Sequence, residues 1–145
     1  MRTILIVEDN YMIADMVEDT LVANGYEVCG IADSIAEGLA LYQQHKPGLI
    51  IVDLRLGNGE LGTELIPKIG PLGKVGILYV TGSRCEFRLS RADGHACLSK
   101  PYRSSDLLQA LKIVTELAQS GTATPPFPAG FHLLEQSKPA GRLVA

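Results

Sequence analysis

Hydrophobic and polar positions come in alternating blocks along the chain. Thr3–Val7 is an unbroken aliphatic run, the mark of a strand covered on both faces. It gives way to Glu8-Asp9, and Asn10 is then placed to cap a helix. Ile13, Met16, Val17, Thr20 and Leu21 recur at helical spacing until Asn24-Gly25 stops them. Tyr26–Ala32 predicts a second strand. Ser34-Ile35-Ala36-Glu37 has the capping-box form, which starts a helix at Ser34. Leu39, Ala40 and Gln43 carry it to His45, and Pro47-Gly48 ends it.

The third strand, Leu49–Val52, is again wholly apolar and ends in Asp53. A loop with Gly57, Gly59 and Gly62 follows, then a weaker helix over Thr63–Ile69 that contains Pro67. Val75–Val80 predicts the fourth strand, ending at Thr81-Gly82. From Ser83 to Gly94 the chain is polar, with Phe87 and Leu89 as its apolar anchors, so a short helix is expected. Ala96–Ser99 predicts the fifth strand, ending at Lys100-Pro101. Ser104 or Ser105 caps a last helix, whose apolar face is Leu107, Leu108, Leu111, Val114 and Leu117 or Ala118.

A strand followed by a helix thus recurs five times. Short apolar strands joined by helices imply an α/β fold, with a parallel sheet, right-handed crossovers and helices on both faces. Gly121, Pro125, Pro126, Pro128 and Gly130 then punctuate the chain too often for a regular element. Phe131–Gln136 has room for one helical turn. Residues 1–119 are read as one domain and 120–145 as a tail, with no second domain; Phe127 and Phe131 are candidates to dock on the domain.

Composition narrows the class. The chain has 145 residues, 46% hydrophobic and 20% charged, with a net charge of −3, a globular rather than a disordered profile. No basic run suggests nucleic-acid binding, and the apolar runs are too short to span a membrane. The N-terminus meets charge at Glu8 and has no small-residue cleavage site, so a cytoplasmic location is expected. Cys29, Cys85 and Cys97 lack metal-ligand spacing, and their odd number suggests reduced thiols. His45, His95 and His132 show no metal-site spacing and are read as surface or loop residues.

The chemistry gathers at the strand ends, where ligands bind in open parallel sheets. Those ends carry Glu8-Asp9, Asp53, Thr81 and Lys100. Three carboxylates brought close together raise one another's pKa unless a cation sits among them. Mg²⁺ suits a site with few protein carboxylates, several waters and a phosphoryl oxygen. An Asp carboxylate is a competent nucleophile toward a phosphoryl group. Lys100 and Mg²⁺ would offset charge on the phosphoryl oxygens.

In this order Glu8-Asp9, Asp53, Thr81 and Lys100-Pro101 resemble the receiver domain of two-component response regulators, over about residues 2–118. The resemblance implies a flavodoxin-like (βα)5 sandwich with a five-stranded parallel sheet in the order 2-1-3-4-5. It implies that Asp53 is the phosphoacceptor and that Asp9 binds Mg²⁺ directly. Glu8 would bind the ion directly or through water, and the backbone carbonyl of Arg55 would add a ligand. Thr81 and Lys100 would contact the phosphoryl group, with the Lys100-Pro101 bond cis. The partners implied are a histidine kinase or phosphotransfer protein and a downstream protein, in a signalling role rather than an enzymatic one.

Two features depart from the family pattern. Cys97 stands where the family often has Tyr or Phe, and Thr81 and Lys100 are closely spaced. With Tyr79-Val80-Thr81-Gly82, this is loosely similar to the "FAT GUY" receivers, which often stand alone. A small thiol at position 97 rules out a ring rotation there. The signal is therefore expected to pass through the Thr81–Arg84 loop to a partner face built by residues 83–94, strand five and the last helix.

Each residue also has a plain reading. Glu8-Asp9 favours a helix N-terminus, Asp53 is a solvated strand end, Thr81-Gly82 a turn and Lys100 a surface charge; their joint placement argues otherwise. The alternatives are a receiver-like binding module that is never phosphorylated, or an Asp-nucleophile phosphatase. The latter usually carries a second Asp two residues on, where this chain has Arg55. A flavin carrier is disfavoured because Glu8-Asp9-Asn10 would repel its phosphate.

Overall fold

The computed structural model describes residues 3–82 and 89–135. Its strands are β1 (Thr3–Val7), β2 (Glu27–Ala32), β3 (Leu49–Asp53), β4 (Gly76–Thr81), β5 (Ala96–Ser99) and β6 (Phe131–Leu133). Its helices are α1 (Tyr11–Ala23), α2 (Ile35–His45), α3 (Leu65–Ile69) and α4 (Ser104–Ser120), with a 3₁₀ turn at Gly62–Glu64 leading into α3. The sheet order is β2-β1-β3-β4-β5-β6. The first five strands are parallel and in the expected flavodoxin-like order. The sheet has a sixth strand that was not expected, β6, which adds antiparallel to β5. None of the described helices is long and apolar enough to cross a membrane.

The unbroken apolar runs follow from a sheet covered on both sides. Successive side chains of a strand point to opposite faces. Ile4, Ile6, Ile51, Leu78, Val80 and Leu98 therefore join one core, with Ala14, Leu21, Leu107 and Leu111 of α1 and α4. Leu5, Val7, Ile50, Val52, Ile77 and Tyr79 join the other, with Ile35 and Tyr42 of α2 and Leu65 of α3. Two apolar cores hold the sheet between them, and the ends of β1, β3, β4 and β5 lie side by side at one end of it.

Local signals set most helix boundaries. The Asn10 side chain accepts from the amides of Met12 (3.0 Å) and Ile13 (3.2 Å). Ser34 Oγ accepts from the Glu37 amide (3.2 Å), while Glu37 reaches back to the amide of Asp33 (2.9 Å). Pro67 falls in the first turn of α3, where an amide has no helical partner to lose. At α4 the expectation of a Ser cap fails. The helix begins at Ser104 with Arg103 in the capping position, and Asp106 Oδ2 accepts from the Arg103 amide (3.1 Å).

Four further expectations change. Residues 83–88, with Cys85 and Phe87, lie outside the described residues, and 89–95 form turns rather than a helix. Phe131–Leu133 is a strand, not a helical turn; Phe131 is buried in the core and Phe127 packs on it with ring centroids 5.4 Å apart. Cys29 is free but Cys97 is disulfide-bonded and wholly buried, so the expectation of reduced thiols fails at Cys97. His45 and His132 are exposed, whereas His95 is buried.

His95 links β4 to the start of β5. Its Nδ1 accepts from the Ile77 amide (3.0 Å) and its own amide donates to the Ile77 carbonyl (3.1 Å). Burial, and secondarily the Arg91 guanidinium, push its pKa down from 6.5 to about 4. The unfolded chain therefore takes up this proton first as pH falls. The stability contributed by the neutral ring is complete above about pH 6.5 and drains away toward pH 4. Replacing His95 by Leu leaves a buried amide without its acceptor, which costs about 1–3 kcal/mol. Urea unfolding at pH 7 should show that loss for His95→Leu, and the loss should shrink at pH 5. An equal loss at both pH values would contradict the assignment.

Candidate functional site

The strand ends bring the expected residues together. Glu8 follows β1 directly, and its amide still bonds the sheet through Ala32 O (2.8 Å). Asp53 is the last residue of β3 and Thr81 the last of β4. Lys100 follows β5, and its amide donates to Thr81 O (2.7 Å). Glu8, Asp53 and Thr81 are buried, Asp9 and Lys100 partly so. The Lys100-Pro101 bond is cis, as expected.

Lys100 spans the crevice. Its Nζ lies 3.2 Å from Glu8 Oε1 and 3.6 Å from Asp53 Oδ2. Glu8, Asp9 and Asp53 each offer a carboxylate oxygen, all within 4.8 Å of one another. Backbone amides hold the remaining oxygens. Asn10 donates to Glu8 Oε2 (3.2 Å), Arg55 to Asp53 Oδ1 (3.3 Å) and Gly57 to Asp9 Oδ2 (2.7 Å).

The glycine loop is shaped around these acids. A Cβ on Gly57 would run into Asp9 Oδ2, and one on Gly62 into the carbonyl oxygen of Asp53. Both positions need glycine for close approach. Arg55 sits on the same loop and bridges to Leu61. The contacts of Asn10 and Gly57 were not foreseen; the spacing of the glycines was the available signal.

Burial dominates the electrostatics. It pushes the Glu8 carboxyl up to about 7, helped by a hydrogen bond with Asp53 and by the Asp53 charge. The Asn10 amide and the Lys100 ammonium work against that rise. Tyr102, just beyond Pro101, has its phenol pushed up by burial and then by the charges of Glu8 and Asp53. It also lines an apolar groove of about 340 Å³, between α1 and the start of α4, with Ile13, Met16 and Lys100.

The donor set fits a hard divalent cation. Among the described residues it offers three carboxylate oxygens and no sulfur or imidazole ligand, and the proton that Glu8 retains near neutral pH is what a bound cation would displace.

A model of the response regulator receiver domain matches residues 4–112. The chain belongs to the response-regulator receiver family. This receiver is 27% identical to the chemotaxis protein CheY of Thermotoga maritima, over 79% of this chain and 98% of CheY. It is 29% identical to the transcriptional regulatory protein PdtaR of Mycobacterium tuberculosis, over 84% of this chain but 60% of PdtaR. Among solved structures, a CheY-like receiver domain protein from Methanospirillum hungatei is 31% identical, with a TM-score of 0.72 over 84% of this chain and 99% of that one.

The raised Glu8 carboxyl has a consequence for stability. Its folded pKa of about 7 lies above the usual 4.5. The folded state therefore keeps a proton that the unfolded chain has lost. The stabilisation this brings is complete below about pH 4.5 and is lost as pH rises through 7. In metal-free buffer, Glu8→Gln should gain stability relative to the native chain as pH rises from 5 to 8, read as the difference in urea midpoints. A difference independent of pH would contradict this origin of the shift.

Proposed function

We propose that this receiver takes a phosphoryl group onto Asp53 from a phosphohistidine of a kinase or phosphotransfer protein, and that the modified state changes its binding to a downstream protein. The observation that carries this reading is the position of Lys100 Nζ, 3.2 Å from Glu8 and 3.6 Å from Asp53, beside three clustered carboxylates. The domain that does this, read from the sequence as residues 1–119, is extended by β6, which joins its sheet.

The contacts of Asp53 support its role as acceptor. The Arg55 amide fixes one of its oxygens, and the other faces Lys100. In the transfer, an Asp53 oxygen forms the new O–P bond as the N–P bond of the phosphohistidine breaks. The electron pair returns to the imidazole, which takes up a proton. Lys100 then exchanges its carboxylate contacts for charge-assisted bonds to phosphoryl oxygens, and the Thr81 hydroxyl serves the same group. Glu8, Asp9, Asp53 and the Arg55 carbonyl would hold Mg²⁺, which supplies positive charge against the phosphoryl oxygens when bound.

Two experiments test this reading. Acetyl phosphate with Mg²⁺ should add one phosphoryl group, and borohydride trapping with mass spectrometry should place it on Asp53, with none on Asp53→Asn. An unmodified Asp53 would leave the chain a binding module. Separately, Mg²⁺ titration followed by NMR should show one site of millimolar-range affinity, weakened at least about tenfold in Asp9→Ala. Unchanged binding in that variant would remove Asp9 from the site.

A further inference from the structure

The outer edge of β5, expected to lie in the partner face, is occupied by the chain itself. After Gly121 ends α4, residues 122–130 run back along that helix. The Thr124 amide donates to Glu116 Oε1 (2.9 Å), and Gln109 Nε2 donates to Pro126 O (2.8 Å). Gly130, at φ +77°, then turns the chain into β6. β6 pairs with β5 at Leu98↔Phe131, Cys97↔His132 and Ala96↔Leu133. The ladder is tied at both ends, by the Ser99 amide to Gly130 O (3.0 Å) and the Leu134 amide to His95 O (2.9 Å). Phe131 plugs one core and Leu134 the other.

This attachment meets the candidate site one residue away. On β5, the Ser99 amide points outward to Gly130, while the next amide, of Lys100, points inward to Thr81 O. In the sheet order β3-β4-β5-β6, Asp53, Thr81, Lys100 and Gly130 belong to successive strands or their ends. Added negative charge on Asp53 pulls Lys100 and Thr81 toward β3. That direction leads away from β6 and stretches the Ser99–Gly130 junction. Of the elements joined there, β6 is the shortest, at three residues, and the strain is expressed where local stability is lowest.

We infer that residues 121–135 form a strap whose hold on the β5 edge loosens when Asp53 is phosphorylated. The inference rests on the phosphoacceptor reading above. When the strap loosens, it uncovers the β5 edge together with Phe131 and Leu134. Coupling is reciprocal for binding equilibria. A weakened strap therefore favours the phosphorylated-like state by the same factor.

Amide hydrogen exchange on the full chain tests this, with beryllofluoride and Mg²⁺ as a stable mimic of the aspartyl-phosphate. The Ser99 and Leu134 amides should exchange at least about fivefold faster in the complex. Phe131→Ala and the surface variant Gln109→Ala should each bind beryllofluoride more tightly than the native chain. Gln109→Ala keeps this readout available should Phe131→Ala fail to fold. If beryllofluoride binds while Ser99 and Leu134 exchange at an unchanged or slower rate, the strap is not coupled to the site and the inference is overturned. If ¹⁹F NMR shows no bound beryllofluoride, the phosphoacceptor reading itself fails, and the inference falls with it.

Discussion

Three carboxylates stand within 4.8 Å of one another at the end of an apolar sheet, and that crowding governs this end of the molecule. Two like charges 4 Å apart repel by about 4 kcal/mol at an effective dielectric of about 20. The fold meets this repulsion in three ways. Lys100 lies between Glu8 and Asp53, backbone amides hold an oxygen on each acid, and Glu8 retains a proton to near neutral pH. None of these removes the repulsion entirely, which leaves the crevice receptive to a cation and to the oxygens a cation attracts.

The rest of the structure keeps that crevice from relaxing. Glu8, Asp53, Thr81 and Lys100 sit at the ends of four adjacent strands, whose bodies are held between two apolar cores. The backbone that carries Glu8 and Asp53 is thereby held in place. A change of charge at Asp53 is therefore passed on to what is less firmly held. β6, three residues long and attached beside Lys100, is such an element.

Much of this was legible in the sequence because it rests on local pattern. Unbroken aliphatic runs are satisfied by strands covered on both faces, and the runs of β1, β3, β4 and β5 lead to Glu8, Asp53, Thr81 and Lys100, which the fold brings side by side. The parts that escaped depend on tertiary context. Phe131–Leu133 is too short and too closely flanked by Pro128 and Gly130 to show a strand period; it becomes a strand because β5 offers an open edge. His95 looks polar in isolation and is buried because the Ile77 amide needs an acceptor. Arg103 takes the place expected of a serine because Asp106, three residues on, supplies the capping oxygen. The disulfide at Cys97 depends on which cysteines the fold brings together, which spacing does not reveal.

The Glu8 side chain reports on the buried crevice and on the acid beside it. Carbon-detected NMR of its carboxyl carbon across pH, without metal and then with saturating Mg²⁺, measures how strongly burial first, and the neighbouring Asp53 second, hold the Glu8 proton. The expected result is a metal-free midpoint near 7, moving down by at least about one unit when Mg²⁺ is bound. A midpoint at the ordinary 4.5 without metal, unmoved by Mg²⁺, would contradict it.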